Sequence, residues 1–169
     1  MILEAGHGPG LRAGNGAHWR CVSDQVMGGV SAGQLQRVML DGESALRLSG
    51  RVSLDNNGGF LQMALPLAAA GQVLDAGRYQ GLRLRVRGNG LRYNLHLRSA
   101  DMTAVWQSWR AAFRAPAIWT DIDLPFDAFV PHRTELPVNP ARLTRLGLVA
   151  IGSEMMADLA LARLELVVA

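Results

Sequence analysis

Gly81 to Arg98 reads GLRLRVRGNGLRYNLHLR, two runs of alternating apolar and polar side chains around a Gly-Asn-Gly centre. An alternation of period two marks a strand that buries one face. Asn89-Gly90 supplies the two left-handed residues of a type I′ turn, so the segment is expected to form a hairpin. That turn pairs Leu82 with Leu97, Leu84 with Leu95 and Val86 with Tyr93 on an apolar face. The other face then pairs Arg83 with His96, Arg85 with Asn94 and Arg87 with Arg92. A three-residue loop without a bulge would put Val86 opposite Arg92 and mix the faces, so patterning and turn chemistry select the same register.

Outward from this segment, short runs of the same kind recur near residues 34–40, 45–54, 59–65, 106–114, 119–124, 143–151 and 159–167, separated by Gly, Asn, Asp or Pro. Helical signals are confined to residues 66–76 and to 139–145, where Asn139-Pro140 offers a start. Many short strands with at most one or two short helices indicate an all-β sandwich or barrel. A chain of 169 residues has room for one ordinary core. The glycine-rich start, residues 1–16, is expected to be a loose arm, and residues 17–169 a single β-sandwich domain.

All 17 basic residues are arginine, against 14 acidic residues, and the formal charge is +3. The sequence pI of about 10.0 reflects the absence of lysine rather than a concentrated basic patch. Bulk charge therefore gives no case for a nucleic-acid partner. Cys21 stands alone, which suits a reducing compartment. Met1 to Gly10 lacks the basic start and apolar run of a secretory signal, and no apolar stretch reaches membrane-spanning length. The expectation is a cytoplasmic protein.

Two glycine motifs carry a family resemblance. Trp19 to Gly33, WRCVSDQVMGGVSAG, is followed about thirty residues on by Leu54 to Phe60, LDNNGGF. In that order they resemble the hallmark segments of the complex I intermediate-associated protein family, a D-G-V-M-G-G-V-S stretch followed by E-N-N-G-G-F. The resemblance continues through Tyr79 to Ser99, through the WQSW and Pro-Phe-x-x-Phe segments of Trp106 to Pro131, and into the terminal IGS and LARLELV segments. Gln25 stands where the family commonly has glycine, and Asp55 where glutamate is frequent. The resemblance implies a galactose-binding-like jelly roll, a two-sheet antiparallel sandwich. It also implies a non-catalytic protein-binding role, as an assembly factor or chaperone for a respiratory or other multi-subunit complex. This chain looks like the short bacterial form, the domain alone. Because jelly rolls of this type often bind sugars, a carbohydrate or small anionic ligand is the alternative.

Candidate chemistry is sparse. Gly28, Gly29, Gly58 and Gly59 are read first as close-approach or turn glycines. The functional reading makes the two loops a recess with Asp24, Ser31, Asn56 and Asn57 as its polar groups. The spacing fits neither a phosphate loop nor a dinucleotide fingerprint. The four histidines are scattered without metal spacing, Ser23 and Ser31 lack a triad pattern, and Asp121 with Asp123 suits a solvated strand face. No metal, cofactor or catalytic residue is assigned. The arginine-rich hairpin face, with Arg83, Arg85, Arg92 and His96, must be relieved of like-charge repulsion. Water, salt or neighbouring carboxylates would do this, and so would an anionic ligand or acidic protein partner. Trp106 is three residues from Trp109, so a strand there sends them to opposite sides, and Trp106 is either half-covered by a loop or an exposed platform.

Overall fold

The computed structural model describes residues 1–168; Ala169, the last position of the expected domain, lies outside the described residues. The described residues form twelve strands: β1 (Ile2–Glu4), β2 (Arg20–Ser23), β3 (Ala32–Leu40), β4 (Glu43–Val52), β5 (Phe60–Pro66), β6 (Gly81–Gly88), β7 (Arg92–Ser99), β8 (Ser108–Arg114), β9 (Thr120–Pro125), β10 (Val130–His132), β11 (Leu143–Ile151) and β12 (Met155–Val167). They form two antiparallel sheets. The first runs β3-β4-β12-β6-β9, with β1 also on β12, and the second runs β10-β8-β7-β11-β5-β2. This is the all-β two-sheet sandwich that the strand pattern and the resemblance imply.

Alternation builds the core. Leu82, Leu84 and Val86 of β6 point inward from the first sheet, and Tyr93, Leu95 and Leu97 of β7 point inward from the second, each at most 1% exposed. Each fully buried aliphatic side chain of this size contributes roughly 1.5–3 kcal/mol. Helical structure among the described residues is limited to 3₁₀ turns at Asp24–Met27, Asp55–Asn57, Phe126–Ala128 and Pro140–Arg142. The last begins where Asn139-Pro140 points, the Asn139 side chain accepting a hydrogen bond from the Ala141 N–H. Residues 66–76 form no helix.

The hairpin expected over residues 81–98 does not form. β6 pairs with β12 and β9, β7 pairs with β11 and β8, and the Asn89-Gly90 segment crosses from one sheet to the other. Alternation fixes which face of a strand is buried, and that face is buried equally well beside a partner or across the core from it. The turn decides between the two, and here Gly90 has a positive φ of 80° while Asn89 does not, so no type I′ turn exists. The crossing is tied instead to the neighbouring one between β8 and β9. Gly90 N–H donates to Ala115 O at 2.7 Å and Gly88 N–H to Pro116 O at 2.7 Å. The Asn89 side chain donates to Met156 O at 2.7 Å and accepts from Tyr93 Oη at 2.8 Å.

Residues 1–16, expected as a loose arm, are bound to the sandwich. β1 pairs with β12 just past the end of β4, and Leu3 and Glu4 are buried. Glu4 accepts hydrogen bonds from Trp19 Nε1 at 2.9 Å and from Arg37 at 3.0 Å, and Arg37 also donates to the carbonyls of Gly6, Gly10 and Arg12. A buried carboxylate persists only with such partners. Ile-Leu-Glu is too short to announce a strand by alternation.

Candidate functional site

The two glycine motifs meet at one buried carboxylate. Asp24, fully buried, accepts from Ser31 N–H (2.9 Å), Ser31 Oγ (2.5 Å), Gly59 N–H (2.5 Å) and Phe60 N–H (3.2 Å). Burial alone would raise its pKa, but the hydrogen bonds from the Ser31 side chain and the Gly59, Ser31 and Phe60 amides outweigh it and hold the carboxyl below its ordinary value. A Cβ at Gly29 would collide with the Asp24 carboxyl carbon, and one at Gly58 would stand 2.5 Å from Oδ2. These glycines leave room for the carboxylate. Asn56 and Asn57, with φ of 56° and 59°, are exposed and turn the chain in the left-handed region that asparagine tolerates. Gln25 needs no positive φ and donates to Ser31 O at 2.9 Å. Asp24 and Ser31 thus spend their hydrogen-bonding capacity inside a knot joining two loops, with Val26 and Met27 exposed above it.

Arg83 and Arg85 lie on the outer face of the first sheet, where carboxylates meet them. Arg83 pairs with Asp123 at 2.7 Å, Arg85 with Glu43 at 2.7 Å and Asp121 at 3.1 Å, and Arg87 with Asp41. Arg47–Asp158 and Arg163–Glu165 extend the array. Glu43 and Asp123 are held below the ordinary carboxylate pKa chiefly by their hydrogen bonds from Arg85 and Arg83.

Arg92 and His96 lie on the opposite side of the molecule, on the outer face of the second sheet. The strands of that sheet contain no aspartate or glutamate. They contain Arg20, Arg92, Arg98, Arg110, Arg114 and Arg145, none of which makes a salt bridge among the described residues. Cross-strand register puts Arg92 opposite Arg114, His96 opposite Arg110 and Arg98 opposite Arg145. Small buried residues, Ala64, Gly147 and Val149, floor the face beneath these longer side chains. A groove of about 410 Å³ crosses it, lined by Arg92, Asn94, Arg110, Ala112, Val130 and Ile151 among others.

The electrostatics of this face run in one direction. Burial, then His132 and Arg110, push His96 down to about 4, and its Nε2 is buried without a partner. His132 is lowered by burial, Arg110 and Arg133. Burial and then Arg145 lower Arg98, while burial and then Arg20 lower Arg145, though both guanidiniums remain charged. Arg98 also donates to Ala104 O and Gln107 O, both at 2.8 Å. Those contacts anchor the loop that carries Val105 and Trp106, 84% and 62% exposed. Trp106 stands in this loop rather than in a strand, beside the face, while Trp109 is buried.

The candidate residues therefore fall in three places: Asp24, Ser31, Asn56 and Asn57 at the glycine loops, Arg83 and Arg85 on the first sheet, and Arg92, His96 and Trp106 on or beside the second. Arg20, Arg110, Arg114, Arg145 and Val130 were missing from the candidates. The signal for them is the absence of acidic residues from six strand segments, which acquires meaning once those segments are known to share a sheet. Among the described residues no cluster of three or more metal-ligating side chains occurs, and no helix is long and apolar enough to cross a membrane.

The family model described as complex I intermediate-associated protein 30 matches residues 12–162. A search of curated proteins finds no match. Among solved structures, the chain is similar to the family 11 carbohydrate-binding module of the cellulosomal cellulase Lic26A-Cel5E of Clostridium thermocellum, with a TM-score of 0.76, 13% identity, and coverage of 100% of this chain and 94% of that one. A family 11 module from the same organism, in complex with a β-1,3-1,4-mixed-linked tetrasaccharide, matches with a TM-score of 0.75 and 13% identity over 99% of this chain and 95% of that one. The family 30 module of its cellulosomal cellulase Cel9D-Cel44B matches with a TM-score of 0.66 and 12% identity over 98% and 97%. At these identities the likeness is one of fold.

Proposed function

The chain belongs to the complex I intermediate-associated protein 30 family, and from that premise we propose that it is a non-catalytic protein-binding module with a part in assembling a respiratory or other multi-subunit complex. The observation that carries the reading is the uneven treatment of arginine. Six of the seven arginines in the first sheet's strands have carboxylate partners, Arg51 being the exception, whereas the six in the second sheet's strands have none. Unrelieved like charge costs stability, and a surface that bears it is suited to a partner supplying the missing anions. The test is affinity purification from the native organism with mass spectrometry, using the chain and its Arg110→Glu variant in parallel. Enrichment of subunits of one complex by the parent chain, lost in the variant, is expected. Recovery of no specific protein by either would overturn the proposal.

A second reading is carbohydrate binding, supported by the likeness to carbohydrate-binding modules and by exposed Trp106 in the loop before β8. Against it, sugar rings stack on flat aromatic side chains, and the outward positions of the second sheet's strands hold no tryptophan or tyrosine and a single half-buried phenylalanine, Phe60. Binding of a mixed-linked β-glucan by the parent chain, abolished by Trp106→Ala, would favour this reading over the first.

A further inference from the structure

The open arginines define the chemistry of what covers them. We propose that the outer face of the second sheet binds an acidic, extended segment of a partner protein, in which aliphatic side chains are interspersed among Asp or Glu. The proposal rests on the protein-binding reading above and names the partner's chemistry.

Three features carry it. The first is charge: the six arginines have no carboxylate within their own sheet's strands, and arginine's planar fork is suited to taking a carboxylate with two parallel hydrogen bonds. The second is the interleaving of aliphatic surface with those charges. Val130, 56% exposed, lies directly opposite Arg110, and Ile151 and Ala112 line the same groove. A polypeptide can offer an aliphatic side chain next to a carboxylate, whereas an acidic polysaccharide has no aliphatic side chain to place there. A single-stranded nucleic acid would want aromatic stacking surfaces, which the outward strand positions provide only in Phe60 and the imidazoles. The third is dimension. From β8 to β2 the face is four strand intervals wide, about 19 Å. An extended segment of about six residues spans that distance. Its alternate side chains recur about every 7 Å, so the acidic positions of one edge can reach Arg110, Arg98 or Arg145 in turn.

The experiment titrates the folded chain with a synthetic peptide of about twelve residues built from a Glu-Glu-Leu repeat, with polyglutamate, polygalacturonate, mixed-linked β-glucan and single-stranded oligothymidine as parallel probes. Binding is followed by calorimetry and mapped by amide chemical shifts. The expected result is that the Glu-Glu-Leu peptide binds more tightly than polyglutamate, with shifts on β7, β8, β10 and β11. Affinity should weaken with added salt and fall at least tenfold in the Arg92→Glu, Arg110→Glu double variant. The Arg83→Gln, Arg85→Gln variant of the opposite sheet should bind as the parent does. If the double variant fails to fold, the shift map and salt dependence of the parent chain decide. Failure of the peptide to bind, shifts on the first sheet, or tighter Arg110-dependent binding of polygalacturonate or oligothymidine would overturn the acidic-segment proposal. A specific partner recovered from native extract despite any of these outcomes would leave the protein-binding reading standing without it.

Discussion

At Asp24, one carboxylate satisfies three backbone amides and a hydroxyl drawn from two loops about thirty residues apart. Replacing it with alanine leaves the three amides without an acceptor, each a loss of about 1–3 kcal/mol, so Asp24→Ala should lower stability by about 3 kcal/mol or more. Urea denaturation checks this through a lower midpoint at unchanged slope. Because the folded pKa lies below the unfolded one, the stabilisation is present above the ordinary carboxylate range and lost as pH falls through the folded value. Asp24→Asn should flatten the stability profile below about pH 4. His96 acts over a different window. Its folded pKa of about 4 lies under the ordinary 6.5, so the unfolded chain binds the extra proton and stability declines as pH falls from 6.5 towards 4. About 2 kcal/mol should be lost between pH 6.5 and 5. His96→Asn should remove that slope, and an unchanged slope in the variant would exclude His96 as its source.

Among the elements, the crossing at Asn89-Gly90 separates two nearly identical strands into different sheets, and the Asn89 side chain binds it at both ends through Met156 O and Tyr93 Oη. Asn89→Ala should therefore destabilise the fold by about 1–2 kcal/mol, read by thermal unfolding, and Asn89→Asp should recover only the accepting half. The same crossing marks where the sequence ceases to be legible. Strict alternation located β6 and β7 to within a residue or two and placed Leu82, Leu84, Val86, Tyr93, Leu95 and Leu97 in the core, because burial on one face is a property of each strand alone. Pairing is a property of two strands and of the φ angles between them, and Asn-Gly permits a type I′ turn without enforcing it. An Asn89-Gly90 hairpin would set Arg85 beside Asn94, whereas both sheets and the core between them separate the two. β1, β2 and β10, of three or four residues each, are too short for alternation to show. The glycine motifs were visible as motifs, but that they converge on Asp24 depends on long-range packing that no local pattern records.

Across the whole molecule the two outer faces differ in how they handle the same side chain, and stability should respond with opposite sign on each. On the first sheet, Arg85 serves both Glu43 and Asp121 while its guanidinium lies over the Trp119 ring. Arg85→Gln leaves two carboxylates without their cation and should cost about 1 kcal/mol, the upper range for a partly exposed pair. On the second sheet, Arg92 faces Arg114 with no carboxylate to mediate. Arg92→Glu turns that repulsion into attraction and should stabilise the free chain by about 0.5 kcal/mol while weakening its hold on the acidic peptide. A residue whose replacement improves stability and impairs binding is retained for the binding. Denaturation at low salt and at about 0.5 M salt separates this from a packing effect, because the electrostatic gain shrinks as the Debye length falls and a packing gain persists. If Arg92→Glu destabilises the chain at both salt concentrations, the arginines of the second sheet are not in unrelieved repulsion and do not await an anionic partner.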